Sequence, residues 1–392
     1  MFENVEKYLT SVQEATIGNK SQVVGSFVSL RDNHVKNTSL YIAQPEEFIK
    51  KVGLMKPLDE VISAHLKVMY NLTLKPPNYI GAYVQQDLAC KMVGRLVEEL
   101  KYEDWCLALM YRLCLDLRVL AKMCEKRCPG MRPGQKRAEA ADSIMGCFRI
   151  CTKGPETTKH LSMIFMVNQL FKIYFRINKS ALCTPLIKAI ENCNAKDSFP
   201  MQEQITYNYF MGIRAMFDSQ YPEAVKKFSF AFIKCPDRFT TNKRLILYYL
   251  VVVKMLLGYL PSKSGLERNK LMFFYELTMA LKSGNVGKFD EFVKKRALFL
   301  IRSGIYLAVQ KLKNIVYRSL FKKVFIIRKS HELEMSEFQE ALKFVGVKDV
   351  KLDQVHCIVA NLICEGKING KITGNQKLVI SEQDPFPALI SK

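Results

Sequence analysis

Residues 208–236, NYFMGIRAMFDSQYPEAVKKFSFAFIKCP, carry the clearest structural signal in this chain. Gly212 stands inside one apolar run, Ala224 follows twelve residues later, and Phe228 follows four residues after that. Pro236 then ends the stretch. A small residue of this kind allows two helices to cross closely, and a bulky ring follows at a fixed spacing. The pattern therefore predicts a pair of packed helices.

The same spacing is typical of a tetratricopeptide-like (TPR-like) repeat, although Asn208 and Ala215 stand where that repeat has large aromatic side chains. A looser helix–turn–helix pair follows, with residues 271–281 and 289–301 joined through residues 283–287. Strand-like alternation is almost absent before residue 365. We therefore expect a mainly all-α chain built around a solenoid of TPR-like helical repeats.

The pattern changes after residue 314. Three apolar stripes at helical spacing follow, and residues 336–339 have the form of a capping box that opens the second helix. Gly366 is placed to end the third helix, and two short β-prone segments then flank a turn at Gly374–Asn375. Three helices followed by a hairpin is the order of a winged helix. The predicted domains are an N-terminal helical region (residues 1–137), TPR-like repeats (138–313), a winged helix (314–382) and a C-terminal tail (383–392).

Helical repeats that run directly into a C-terminal winged helix resemble the PCI module of the proteasome lid, the signalosome and a translation initiation factor. The resemblance is closer to the Thp-one-like PCI subunits of the nuclear transcription-and-export complex, and it covers roughly residues 85–390. The segments that carry it are Leu170–Phe175, Tyr207–Gly212, Phe228–Pro236, Val253–Gly258, Leu320–Val324, Ala341–Phe344, Cys357–Leu362, Gln376–Val379 and Pro385–Pro387.

The resemblance implies a non-catalytic scaffold subunit that acts in messenger-RNA export. It also implies two protein partners: a large export scaffold of the germinal-centre-associated nuclear protein type, and a very small acidic subunit shared with the proteasome. The implied location is the nucleus, including the nuclear pore, and also the cytoplasm. The alternative is a subunit of a proteasome-lid-like or COP9-signalosome-like assembly, in which the winged helix contacts only sibling winged helices.

The charge of the chain points to a polyanionic partner. The formal net charge is +22, yet the first 100 residues hold 11 basic and 11 acidic side chains, so the whole excess lies downstream. Such an excess creates a long-range field that favours nucleic acid. The predicted nucleic-acid-binding residues are Lys294, Lys295, Arg296, Lys322, Lys323, Arg328, Lys329, Lys367, Lys371 and Lys377.

The simpler alternative is a solvated basic face, which is what most charge runs are. The third winged-helix helix itself offers Asp353, Gln354, His356 and Asn361 rather than bases, so reading of base edges in a major groove is not expected. Contact with the backbone of RNA or DNA fits better.

Aromatic and aliphatic clusters at residues 273–275 and 298–301 suggest helices that are apolar on more than one face. Such helices suit either a protein partner or a buried solenoid.

Nothing in the sequence indicates catalysis or a cofactor. The five histidines are scattered, and no phosphate-binding glycine loop occurs. Cys124 with Cys128, and Cys147 with Cys151, each place two thiols on one helical face, so four thiolates could hold zinc. Buried core cysteines are the interpretation we favour, and no metal is predicted.

The sequence also predicts where the chain resides. Its first residues lack the basic head and apolar run of a secretory signal, and the twelve cysteines stand in helix-like apolar surroundings. We therefore expect reduced thiols in the nucleus or cytosol. The most apolar stretch, residues 245–260, contains Lys254 and is too short for a bilayer span, so no membrane insertion is expected.

Overall fold

The computed structural model describes residues 4–100, 105–153, 158–374 and 377–389. The described chain is mainly helical, which confirms the predicted all-α class. It divides into two compact units, residues 1–207 and 208–392, and the division falls within one helix, Met201–Phe217. This division matches none of the predicted boundaries at residues 137, 313 and 382, which remain predictions.

The first unit is a stack of helices. Its helices are α1 (Val5–Ile17), α2 (Ser21–Phe27), α3 (Glu46–Val52), α4 (Leu58–Thr73), α5 (Tyr79–Glu99), α6 (Trp105–Arg127), α7 (Gln135–Thr152), α8 (Thr158–Tyr174), α9 (Cys183–Glu191) and the start of α10 (Met201–Phe217). Nine of the twelve cysteines of the chain are buried, and the Sγ atoms of Cys90 and Cys114 lie 4.0 Å apart between α5 and α6. These thiols therefore pack as small apolar side chains.

Neither cysteine pair weighed for zinc forms a metal site in the described residues, where no group of three or more Cys, His, Asp or Glu side chains is placed to hold a metal ion. The thiol of Cys124 instead donates to the backbone oxygen of Tyr79 at 3.0 Å. Burial raises the pKa of Cys151 to about 12. Within the same described ranges, no helix combines the length and the apolarity that a membrane crossing requires.

The second unit contains the repeat and the winged helix. Its remaining elements are α11 (Tyr221–Lys234), α12 (Thr240–Leu256), α13 (Lys263–Arg268), α14 (Phe273–Ser283), α15 (Val286–Arg302), α16 (Tyr306–Lys311), α17 (Lys313–Arg328), β1 (Glu332–Glu334), α18 (Met335–Phe344), α19 (Leu352–Cys364), β2 (Gly370–Ile372) and β3 (Lys377–Ile380).

The predicted close crossing lies between α10 and α11. A Cβ added to Gly212 would lie 2.7 Å from Cε1 of Phe228, so only glycine leaves room for that ring. Phe228 is completely buried and stacks on Tyr249 of α12, with the ring centroids 5.4 Å apart. The spacing in residues 208–236 thus predicted a tertiary contact as well as two helices.

The winged helix packs closely against the last helical pair. Gly284, in the turn between α14 and α15, has φ +70°, and a Cβ there would lie 2.5 Å from the backbone nitrogen of Leu320 on α17. Gly287 at the start of α15 donates its N–H to the backbone oxygen of Val345 at 3.2 Å. A repeat that leaves one apolar face open is covered by such a domain.

The order of the winged helix is α17, β1, α18, α19, β2, β3, and its sheet has the antiparallel order β1–β3–β2. The hairpin and its two strands confirm the prediction, although Asn375 of the predicted turn lies outside the described residues. Strand β1 was not predicted, because three residues are too few for an alternation pattern. Phe321 and Phe338 form the core between α17 and α18, with ring centroids 4.5 Å apart.

Two helix ends test the capping predictions. The predicted box at residues 336–339 is wrong by two positions, because Glu334 is the N-cap of α18 and its N–H donates to Glu337 at 3.3 Å. Glu334 is extended because it also ends β1, and this strand sets the start of the helix. Gly366 behaves as predicted: it has φ +65° and its N–H donates to the backbone oxygen of Ile363 at 2.9 Å.

The last described residues contact the winged helix. Arg318 of α17 is buried and donates from Nη2 to the backbone oxygens of Phe386 at 3.0 Å and Pro387 at 2.6 Å. Phe386 is buried as well, and its ring centroid lies 5.6 Å from that of Phe325. Part of the predicted tail therefore completes the core of the winged helix.

Candidate nucleic-acid interface

The ten predicted nucleic-acid-binding residues all lie in the second unit. Lys294, Lys295 and Arg296 are on α15, while Lys322, Lys323 and Arg328 are on α17 and Lys329 follows directly. Lys367 lies between α19 and β2, Lys371 is in β2, and Lys377 begins β3. Helices α15 and α17 contact each other. The prediction therefore divides into bases on two adjoining helices and bases in or near the sheet.

Five lysines on or at the end of these helices, here called the helical lysines, keep their charge uncompensated: Lys294, Lys295, Lys322, Lys323 and Lys329. All five are exposed. Across the described residues none of them forms an ion pair. Lys323 donates to the backbone oxygen of Ser283 at 2.7 Å, which orients its ammonium group without cancelling the charge. These lysines can therefore attract a polyanion.

The lysines on α17 follow its helical geometry. Lys322, Ile326 and Lys329 are four and three residues apart, a spacing that places them along one side of the helix. Lys329 has φ +50° and its N–H donates to Phe325 at 3.0 Å, so it also caps the helix. A cation at this end stabilises the helix dipole. Lys329 thus has a structural role that does not depend on nucleic acid.

Three other predicted residues are paired with carboxylates of this chain. Arg328 lies 2.6 Å from Glu337, and Lys367 pairs with Glu365. Arg296 lies 3.5 Å from Glu276, and its guanidinium also lies over the ring of Phe273. Arg296, Arg328 and Lys367 therefore add less to the positive field than the sequence suggested.

The outer face of the sheet is balanced in charge. Residues that lie directly opposite each other on antiparallel strands share a face of the sheet. Lys377 of β3 lies opposite Glu334 of β1. Val379 of β3 lies between Glu332 of β1 and Lys371 of β2. Two lysines and two glutamates therefore share that face, and Lys377 lies 3.9 Å from Glu332. The basic hairpin inferred from sequence loses its net charge because β1, which was not predicted, supplies the acids.

A second surface combines apolar and basic groups on α15. Leu298 and Ile301 are 71% and 57% exposed. Between them in sequence, Phe299 packs edge-on against Tyr248 and Phe273, with ring centroids 5.5 and 5.1 Å away. The exposed bases Lys294, Lys295 and Arg302 belong to the same helix. This arrangement suits a partner segment that has apolar and acidic side chains.

The structure also joins two histidines that the sequence left apart. His34 and His65 are buried in the first unit, with their Nε2 atoms 3.0 Å apart. Burial lowers the pKa of His34 to about 4, although Asp32 opposes this, and burial lowers the pKa of His65 well below its ordinary value. The pair is therefore neutral at pH 7. Their separation of 31 residues hid this contact from the sequence.

The chain is similar to known proteins over its full length. A PCI domain family model matches residues 291–383. The PCI domain-containing protein 2 homolog of Drosophila melanogaster is 59% identical over 394 residues, covering 99% of this chain and 100% of the relative. PCI domain-containing protein 2 of Xenopus laevis is 41% identical over 98% of both chains. The Protein CSN12 homolog of Schizosaccharomyces pombe is 28% identical, with 86% and 85% covered.

The PCI match spans most of α15, all of α17 and the winged helix, which are the elements that carry the predicted bases. Domains of this kind are scaffold modules of protein complexes. Similarity over the whole chain, including the first unit, extends the relationship beyond that single module. On these grounds the chain belongs to the PCI domain-containing protein 2 family.

Proposed function

We propose that this chain, a PCI-type scaffold subunit, acts without catalysis in a nuclear messenger-RNA export complex and contacts the RNA or DNA backbone through its second unit. The observation that carries the proposal is the set of helical lysines, whose five positive charges meet no carboxylate in the described residues. Each such cation near a phosphate releases counterions, and this favours binding.

The contact centres on α17 rather than on the hairpin. The helical lysines keep their charge, whereas Lys371 and Lys377 share their face of the sheet with Glu332 and Glu334. Helix α19 contains no lysine or arginine, so it supplies no bidentate contact to guanine. Binding is therefore directed at phosphates and is nearly independent of base sequence.

The protein partners in this proposal are a large export scaffold of the germinal-centre-associated nuclear protein type and a small acidic subunit shared with the proteasome. The exposed apolar and basic residues of α15 support the acidic partner, because Leu298 and Ile301 offer anchors and the neighbouring lysines offer complementary charge. The proposed location is the nucleus, including the nuclear pore, with a further pool in the cytoplasm.

A specific observation favours a second candidate. The charge-balanced outer face of the winged-helix sheet suits packing against another winged helix better than contact with phosphate. In that case the chain would be a subunit of a proteasome-lid-like or signalosome-like assembly with a purely protein–protein role. One relative carries the name Protein CSN12 homolog.

Salt-dependent binding separates the two candidates. Fluorescence anisotropy with labelled single-stranded RNA and duplex DNA, measured from 50 to 200 mM salt, gives the slope of log affinity against log salt. The double variant Lys295→Glu/Lys322→Glu changes two exposed lysines in the middle of their helices and removes two of the proposed phosphate contacts, so the slope should fall by about 2.

The matched control is Lys50→Glu/Lys122→Glu, which makes the same change in net charge with two exposed helical lysines of the first unit. It should leave the slope nearly unchanged. Equal losses in both double variants would mean that net charge alone attracts the polyanion. Negligible affinity of the unmodified chain at 150 mM salt, also in the presence of its scaffold, would leave the assembly role as the better conclusion.

A further inference from the structure

Two basic side chains of the first unit meet between α6 and α8, which contact each other. Arg118 of α6 donates from Nε to Oε1 of Gln169 on α8 at 2.9 Å. Lys172 follows Gln169 by three residues, so it lies one turn further along the same side of α8. Both cations are half-buried. Burial lowers the pKa of Lys172, and the charge of Arg118 lowers it further, so the two groups are close enough to repel each other.

A third cation, Arg31, lies in the loop after α2 and is exposed. The N–H of the preceding residue, Leu30, donates to Oδ2 of Asp116 at 2.9 Å, which fixes this loop against α6. Burial lowers the pKa of Arg118, and Arg31 lowers it further, although Asp116 opposes this. Arg31, Arg118 and Lys172 are here called the cation cluster.

The carboxylates near the cation cluster are bonded to other groups. Asp116 accepts from the loop after α2, and burial raises the pKa of its carboxyl group. Glu203, at the start of α10, accepts from Nδ2 of Asn168 at 2.7 Å. Among the residues that the structure describes, no carboxylate forms an ion pair with any of the three cations. Half-buried like charges without such a partner are costly, and they concentrate where a protein binds a ligand.

Arg118 and Lys172 also keep hydrogen-bond donors available. The bond from Nε to Gln169 orients the guanidinium group of Arg118, and its two Nη groups have no partner in the described part of the chain. The same holds for the ammonium group of Lys172. A planar fork beside a point charge suits a phosphate group, which offers three acceptor oxygens.

We infer that the cation cluster binds a phosphate monoester, carried by a small molecule or by a phosphorylated side chain. A monoester has a charge of about −1.5 to −2 at pH 7, so it relieves the repulsion among the three cations. Because two of these cations are half-buried between helices, a single terminal phosphate reaches them more easily than the backbone of a duplex does. The inference goes beyond the proposed function, whose helical lysines all lie in the second unit.

Thermal unfolding of the full chain in inorganic phosphate measures the binding, with chloride at the same ionic strength as the reference. About 20 mM phosphate should raise the unfolding temperature of the unmodified chain by about 3–6 °C. Lys172→Gln should lose this shift, whereas Lys172→Arg keeps the charge and should retain it. Lys50→Gln is the matched control, because Lys50 is an exposed lysine of α3 outside the cation cluster. An equal shift in Lys172→Gln and Lys50→Gln would mean a general salt effect and overturn the inference.

The same variants in chloride separate binding from a purely structural role. Neutralising Lys172 removes its repulsion with Arg118, so Lys172→Gln should unfold at the same temperature as Lys50→Gln or at a higher one. A binding residue is expected to behave in this way, because its charge serves the ligand and not the fold. A clearly lower unfolding temperature of Lys172→Gln in chloride would assign Lys172 to the support of the fold and contradict the inference.

Fluorescence anisotropy with a labelled phosphoserine peptide distinguishes the two sources of the phosphate. Inorganic phosphate should displace this peptide, and the unphosphorylated peptide should not bind. Affinity for the peptide about tenfold or more above that for phosphate would assign the group to a phosphorylated side chain, and a lower affinity would assign it to a small molecule. With labelled RNA, Lys172→Gln should leave the salt slope unchanged. A slope that falls by about 1 would assign the cation cluster to the nucleic-acid backbone and overturn the inference, while the proposed function would stand.

Discussion

Replacement of Gly212 by alanine tests the crossing of α10 and α11. The added Cβ would lie 2.7 Å from Cε1, 2.8 Å from Cδ1 and 2.9 Å from Cζ of Phe228. The ring has no room to retreat, because Phe228 is completely buried and stacks on Tyr249 at 5.4 Å with an interplanar angle of 18°. Overpacking of this kind costs about 1–3 kcal/mol of unfolding free energy.

Alanine also has a higher helix propensity than glycine, by about 1 kcal/mol, and this gain must be separated from the clash. Gly146 in α7 provides the matched control, because a Cβ there meets no atom within 4 Å. Gly146→Ala should therefore show the propensity gain alone. The difference in unfolding free energy between Gly146→Ala and Gly212→Ala should be about 1–3 kcal/mol, with Gly212→Ala the less stable.

Urea unfolding followed by circular dichroism, with melting temperatures as a check, measures both variants; in a unit of this size 1 kcal/mol corresponds to about 2–4 °C. The double variant Gly212→Ala/Phe228→Leu should lose less stability than the sum of its single changes, because leucine lacks the ring atoms that clash. Equal stability of Gly146→Ala and Gly212→Ala, or strict additivity in the double variant, would refute the close crossing.

Two further predictions concern charge. The unfolding free energy should fall as the pH drops from about 6.5 towards 4, and His34 alone should account for about 3 kcal/mol of this fall. The reason is that histidine in the unfolded chain binds a proton near pH 6.5, whereas the pKa of folded His34 is about 4. Urea titrations should show a flatter decline in His34→Gln/His65→Gln, and an equally steep one would assign the effect to other groups. Separately, Glu332→Gln removes the carboxylate 3.9 Å from Lys377 and should leave the salt dependence of RNA binding nearly unchanged, because the proposed contact lies on α17. A slope steeper by about 1 would instead place the sheet at the phosphates.

Local patterns predicted the helices and several of their ends. Helical spacing reflects contacts three and four residues apart, so α10, α11 and the helices of the winged helix could be recognised without any tertiary information. The positive φ of Gly366 likewise follows from its place directly after an apolar stripe. The contact between Gly212 and Phe228 was predictable because the two residues are only sixteen positions apart, on two helices joined by a single turn.

The candidate site depended on contacts that sequence spacing does not reveal. Lys377 is balanced by Glu332, which is 45 residues distant and lies on a three-residue strand too short to give an alternating pattern. Arg296 is balanced by Glu276 on another helix, and His34 meets His65 across 31 residues. Sequence therefore located the bases, and the distances in the fold distinguish the lysines that keep their charge from the bases that lose it.

The amino-acid sequence alone establishes a mainly helical chain with a TPR-like pair, a terminal winged helix and an excess of positive charge downstream of residue 100. Its helix signals are local, and total charge is independent of conformation. The start of α18 and the balanced face of the sheet arise only when β1 pairs with β3, and the close packing of the winged helix arises only when α19 packs against α17. Pairing and packing of this kind join residues that are far apart in the chain, and electrostatic compensation depends on the distance between them in space.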